Sequence, residues 1–364
     1  MQFTTPKEKI LNAVLITERI VGKKESLPVL SCILLDATKE LVLRATNLEA
    51  GVEIKVAGDV VEKGSVAVPA AILAQTLRSV SGDKVTLKTD GPNLLIEARG
   101  SRTLIKAVPH DEFPSLPSKG GGKGLHLSRQ LLLQSLQSVT YAASTSMIRP
   151  ELGSIYLSVK DSKLATVATD SFRLAEKVVS DAVGKNEGEV LIPLKHAQEL
   201  VHILERVSEE NVELVIDESQ LVVNAGLTFT SRIVDGTFPN YKEIVPKKFS
   251  TEATLLKSDF METLRKARVF AGADQHVGFH VYPKKKVFDV TAQSAAIGEM
   301  SDSLEAAVSG DDIDVNFHIG YVADCMQSIP SDSITLGFSG AGKPLVIRGV
   351  SDATFTYLVM PLNR

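Results

Sequence analysis

The chain has 364 residues, of which 44% are hydrophobic and 23% charged, and it carries a net charge of −4. That length allows two or three domains with cores of their own, and the absence of a long apolar run excludes a helical membrane protein. A net-acidic chain does not bind nucleic acid by bulk charge. Residues 1–8 lack a basic stretch followed by an apolar one, so the expected location is the cytoplasm.

Residues 7–21 read as a first helix, with Ile10, Val14 and Val21 on one face. Short apolar strands are expected over 30–36, 41–45 and 52–56, punctuated by Lys39-Glu40, a corner at Asn47 and Gly58-Asp59. Pro69 opens a second helix carrying Leu73, Leu77 and Val80. A hairpin turning at Asp90-Gly91-Pro92-Asn93, then a strand over 102–108, leads to Phe113-Pro114. The same order follows twice more: helices over 128–139 and 194–207 before Phe238-Pro239, then helices over 257–271 and 320–329 before Met360-Pro361.

Three landmarks recur at intervals of about 123 residues: corners at Thr46, Thr169 and Ala292, helix starts at Pro69, Pro193 and His318, and prolines 114, 239 and 361. The chain reads as an α+β protein made of three repeated domains, over residues 1–120, 124–246 and 250–364, each with two helices packed on antiparallel sheets. Ser118 to Gly124 is glycine-rich and reads as a linker. Cys32 and Cys325 sit in different repeats with no partner spacing, which points to two buried thiols in a reducing compartment and not to a disulfide or a metal site.

Charge is unevenly spread. Lys7, Lys9, Arg19, Lys23 and Lys24 cluster in and after the first helix, and the six helical segments together are net positive on a net-negative chain. A surface where those helices met would suit a loosely held polyanion. Aromatic residues do not interleave with these charges, which argues against stacking on unpaired bases.

Catalytic motifs fail one by one. Gly337 to Lys343 has phosphate-loop spacing, but Pro344 stands where the metal-binding hydroxyl belongs and the segment joins two strands. Asp170, in the polar run Thr169-Asp170-Ser171-Phe172-Arg173, could be an acid or base, although a turn aspartate bonding its own backbone accounts for it. No cofactor is expected and nothing specifies an enzyme. A three-domain peptide-binding scaffold and an enzyme built on Asp170 stay open as alternatives.

The run Ala168-Thr169-Asp170-Ser171-Phe172-Arg173-Leu174-Ala175, the segment Phe238-Pro239-Asn240-Tyr241, Ser26-Leu27-Pro28-Val29-Leu30 and the tail Tyr357 to Leu362 resemble the bacterial DNA polymerase III beta subunit, the sliding-clamp family. The resemblance spans the chain and implies a homodimeric ring of clamp-type domains around double-stranded DNA, helices lining the hole. It implies a non-catalytic processivity role, with the polymerase III alpha subunit, clamp-loader subunits and other proteins as partners through short clamp-binding motifs, and no membrane. The peptide pocket it implies comprises Leu152, Thr169, Ser171, Phe172, Arg173, Leu174, Pro239, Ile244, Tyr321, Leu345, Leu358, Met360, Pro361 and Leu362. DNA contacts would be Lys24, Arg78, Arg149 and Lys195, and the dimer interface Thr103 and Ile105 against Phe270 and Ala271. Ser171, Phe172 and Glu243 depart from the common pattern, as does the ending Asn363-Arg364, and they bear on partner preference.

Overall fold

The computed structural model describes residues 1–22, 27–116, 124–146, 148–180, 187–217 and 219–362. Lys24, Ser26, most of the glycine-rich linker, Glu218 and Asn363-Arg364 lie outside them. Among the described residues six α-helices form: α1 (Lys7–Ile20), α2 (Ala70–Ser79), α3 (Arg129–Gln137), α4 (Leu194–Arg206), α5 (Lys257–Phe270) and α6 (Ile319–Asp324). The last is shorter than its pattern suggests, because it tightens into a 3-10 turn over Cys325–Ser328 ahead of Pro330, which disfavours helix in the residue before it. Prolines 6, 69 and 193 occupy the N-cap positions of α1, α2 and α4 with φ of −55°, −55° and −49°, so the ring sets the exit from strand into helix.

One device opens each repeat. Lys7 Nζ donates to the carbonyl of Val80, Arg129 Nη1 to that of Leu204 (2.6 Å), and Lys257 Nζ to that of Ile329 (2.6 Å). A basic residue at the start of each first helix thus satisfies carbonyls at the end of the second, where the helix dipole favours a cation. This corrects the charge argument: three of the cations counted toward a polyanion-binding face are half-buried and committed to helix ends.

The chain divides into two compact units, residues 1–133 with 181–233, and 134–180 with 234–364. Three repeats sort into two units because sheets run on from one repeat to the next. In the first unit the strand Ala50–Val56 pairs antiparallel with Leu227–Arg232, aligning Gly51 with Thr230 and Ala50 with Ser231. In the second, Arg173–Val179 pairs with Asp352–Val359, aligning Leu174 with Leu358 and Arg173 with Val359. We call these the first and second seams. Sheets of separate repeats, as the strand pattern suggests, are therefore merged at the seams.

Cores lie between helices and sheets. In the first unit Ile10, Val14, Leu73 and Leu77 of α1 and α2 meet Ile33, Leu35, Leu43 and Ile96. In the second, Phe260 of α5 packs on Phe279 and Phe288, with ring centroids 5.7 and 6.4 Å away, and Phe279 on Phe317 at 5.4 Å. Each such side chain contributes about 1.5–3 kcal/mol by leaving water.

Candidate functional site

The second seam begins at a corner that its own side chains fold. Thr169 Oγ1 donates to the carbonyl of Arg173 (2.6 Å) and accepts from the amide of Ser171 (3.2 Å). Asp170 Oδ1 accepts from the amides of Phe172 and Arg173, both at 2.9 Å. The aspartate is thus occupied by its own turn, which removes the reading of Asp170 as an acid or base. Ser171 sits at φ 78°, a left-handed conformation costing a non-glycine residue on the order of 1 kcal/mol.

Past the corner, the chain enters the strand that pairs with the tail. Met360, just beyond that pairing, donates its amide to the carbonyl of Phe172 (2.8 Å). Residues 238–249 cross the same sheet face: Phe238 stacks on Tyr156 at 4.9 Å, and the Tyr241 hydroxyl donates to Glu176 at 2.6 Å. Tyr241 is buried with Val167, Leu174, Val346 and Leu358. Between corner, tail and strap lies a groove of about 210 Å³.

The groove brings together Leu152, Thr169, Ser171, Phe172, Arg173, Leu174, Pro239, Ile244, Leu358 and Met360 of the expected set. Arg149, Tyr241 and Pro344 line it too. Tyr241 stands in the quoted Phe-Pro-x-Tyr segment, so a signal for it existed; Pro344, at a hairpin end, had none. The other four do not line it: Leu345 is fully buried in the strand that pairs with Val359, Pro361 and Leu362 continue the tail, and Leu362 donates its amide to the carbonyl of Asn316 (2.8 Å). Tyr321 stacks on His318 and under the Arg173 guanidinium, 4.5 Å from its ring. Phe172 and Ile244 are 59% and 51% exposed, leaving an apolar lip on the groove.

Arg173 lines the groove but its guanidinium is held inward. Nε donates to Asp170 Oδ2 (2.9 Å) and Nη1 to Asp324 Oδ2 (2.5 Å). Burial opposes its charge, but Tyr357, Asp324 and Asp170 outweigh burial and hold its pKa above the ordinary arginine value. It therefore clamps the corner to α6. Burial pushes the neighbouring Tyr141 and Tyr357 phenols well up, so both stay neutral: Tyr357 donates to the carbonyl of Tyr321 and Tyr141 accepts from Ser328.

The expected DNA contacts are dispersed. Arg78 on α2 is exposed and lies 3.4 Å from Glu18; Lys195 is exposed in the first turn of α4; Arg149 stands on the groove wall, paired with Glu151 at 3.0 Å. Lys24 lies outside the described residues. Thr103 and Ile105 belong to an edge strand, Ser101–Ile105, but Ile105 is buried while Leu104 is 51% exposed. Ala271 is likewise buried beside half-exposed Phe270, whereas Val269 and Ile297 are 60% and 58% exposed. Among the described residues no three His, Cys, Asp or Glu side chains are grouped to hold a metal, and no helix is long and apolar enough to cross a membrane.

Comparison with known proteins decides the family. The N-terminal, central and C-terminal domains of the DNA polymerase III beta subunit match residues 1–117, 126–240 and 242–363, in that order. The chain belongs to the DNA polymerase III beta subunit family. The beta sliding clamp of Staphylococcus epidermidis is 24% identical, covering 100% of this chain and 99% of its own. Crystal structures of the beta subunit from Thermotoga maritima (23% identity, TM-score 0.95) and of the sliding clamp from Bacillus subtilis (22%, TM-score 0.93) each cover 100% of this chain and 99% of theirs. A Pseudomonas aeruginosa sliding clamp bound to griselimycin (23%, TM-score 0.94; 100% of both chains) shares this beta-subunit fold.

Proposed function

We propose that this chain is the processivity clamp of a bacterial replicative DNA polymerase, a non-catalytic cytoplasmic protein that closes as a head-to-tail dimer around duplex DNA. Polymerase and clamp-loader subunits dock short motifs in the groove at the second seam. Full-length membership of the beta subunit family, all three domains in order, carries this reading. The groove supports it: Leu174, Leu358, Met360 and Phe172 offer the apolar lining that leucine and phenylalanine anchors need, and a few such anchors supply most of the energy in small interfaces.

Ring closure is supported by two sheet edges. Ser101–Ile105 ends one sheet with Leu104 exposed, and Gly298–Ser303 ends another beside Val269, Phe270 and Ile297. Bare edges with exposed apolar flanks invite pairing with a second chain. Thr103, Leu104 and Phe270 would then make the contact, with Ile105 and Ala271 supporting it from beneath. Lys24, Arg78 and Lys195 are assigned to weak DNA contacts; Arg149, on the groove wall, is assigned to the docked peptide.

Light scattering tests closure: the expected mass is twice the 39.2 kDa of the chain, falling to one chain in Phe270→Arg. Retention on DNA tests the topology. Loaded protein should stay on closed circles and leave linear duplex; equal retention on both would contradict encirclement, because a net charge of −4 gives little direct affinity.

A further inference from the structure

We infer that the first seam holds a second copy of the peptide groove, which the chain keeps shut with its own Leu116 and an ion pair; this rests on reading the second-seam groove as a peptide site. The backbones of the two corners match bond for bond. Thr46 Oγ1 donates to the carbonyl of Ala50 (2.9 Å) and accepts from the amide of Leu48 (3.0 Å), as Thr169 does with Arg173 and Ser171. Asn47 Oδ1 accepts from Glu49 and Ala50 (3.0 and 2.7 Å), as Asp170 does from Phe172 and Arg173. Leu48 has φ 72° where Ser171 has 78°. Arg232 donates its amide to the carbonyl of Glu49 at 2.8 Å, the distance at which Met360 meets Phe172. Even the approach matches: Cys32 Sγ and Ser154 Oγ each bond back to the carbonyl of a proline four residues earlier, Pro28 and Pro150.

What differs is the chemistry laid on this frame. The floor pair Leu174 and Leu358 becomes Gly51 and Thr230, aligned in the same way across the seam. Into the room this leaves, Leu116 descends, in the position that Tyr241 takes after Phe238-Pro239. A Cβ on Gly51 would lie 2.5 Å from Leu116 Cδ2, so the leucine occupies the space of the missing side chain. At the lips, apolar Phe172 and Met360 become Glu49 and Arg232, joined at 3.1 Å. Removing that leucine would leave a leucine-sized hole over Gly51 and Thr230, which an anchor leucine of a peptide could fill. Its ligand class is the same short peptide with leucine and phenylalanine anchors, held more weakly because glycine and threonine replace the apolar floor.

The test opens the seam with Leu116→Gly and Glu49→Ala together, and titrates a Gln-x-x-Leu-Phe type peptide while following leucine methyl resonances. In the unmodified protein Leu152 and Leu358 should respond, Leu30 and Leu48 should not, and one peptide should bind per chain. In the opened variant Leu30 and Leu48 should respond as well, with a second affinity at least about tenfold weaker than the first. Leu116→Met, which keeps the plug, should behave as the parent. A folded variant in which Leu152 and Leu358 respond while Leu30 and Leu48 stay still at millimolar peptide overturns the inference, as does a parent protein in which Leu48 already responds. If no leucine moves in either protein, the groove reading itself falls first, and the two failures are told apart.

Discussion

At the first seam Thr46 and Asn47 fold a corner that hands on Glu49, Ala50 and Gly51; at the second, Thr169 and Asp170 fold the same corner and hand on Phe172, Arg173 and Leu174. Both corners deliver a strand to a neighbouring repeat and both are crossed by a Phe-Pro segment. Only the second presents apolar lips, an apolar floor and a half-buried guanidinium clamp. The backbone device is thus a property of the repeat, while the apolar groove is a property of a few side chains added to one copy.

Breaking the clamp should give the largest effect. Arg173→Ala leaves Asp170, 14% exposed, and Asp324, 42% exposed, without their cation, which should cost about 2–3 kcal/mol, most of it at Asp170. Denaturant unfolding should show the second unit melting earlier. The first seam already carries alanine at the matching position, Ala50, and Ala50→Gly should cost far less. Removing residues 360–364 comes next: peptides should lose on the order of 2 kcal/mol in calorimetry while dimer mass holds. The cut must follow Val359, which is fully buried and paired with Arg173 and Leu345.

A sharper contrast comes from the lips. Phe172→Ala should weaken the peptide by about 1–2 kcal/mol, whereas Glu49→Ala at the matching place should leave that affinity unchanged in a titration. The smallest effect is in pH. His196, buried with Nδ1 2.8 Å from Ser231 Oγ at the first seam, has its pKa pushed below 6.5 by burial and then by Lys195. The unfolded chain takes the proton first, so stability is full above pH 6.5 and declines as pH falls through 6.5 toward the lower native value. His196→Asn should flatten that slope in thermal melts between pH 7.5 and about 5.

Much of the frame was legible from local pattern. The three repeats, the helix positions and the Thr-Asp corner follow from periodicity, prolines and side chains that bond their own backbone. The seams were not, since pairing Leu227 with Ile54 or Leu174 with Leu358 joins residues far apart in sequence and leaves no local signature. The strand Gln2–Pro6 was missed because Phe3 is its one large apolar residue and alternation needs more. Lys7, Arg129 and Lys257 read as surface charges because the helix ends they satisfy lie more than seventy residues away in the chain. Ten pocket residues came together through a family resemblance, and their geometry then gave Arg173 the task of a clamp.

The most direct test of the central claim, that the second seam is the docking groove and the first is not, is photo-crosslinking with a motif peptide carrying a photoreactive phenylalanine analogue at its anchor. The account predicts attachment within residues 169–174 or 239–244 of each chain. Attachment within 46–51, or equal attachment at both corners, would contradict it.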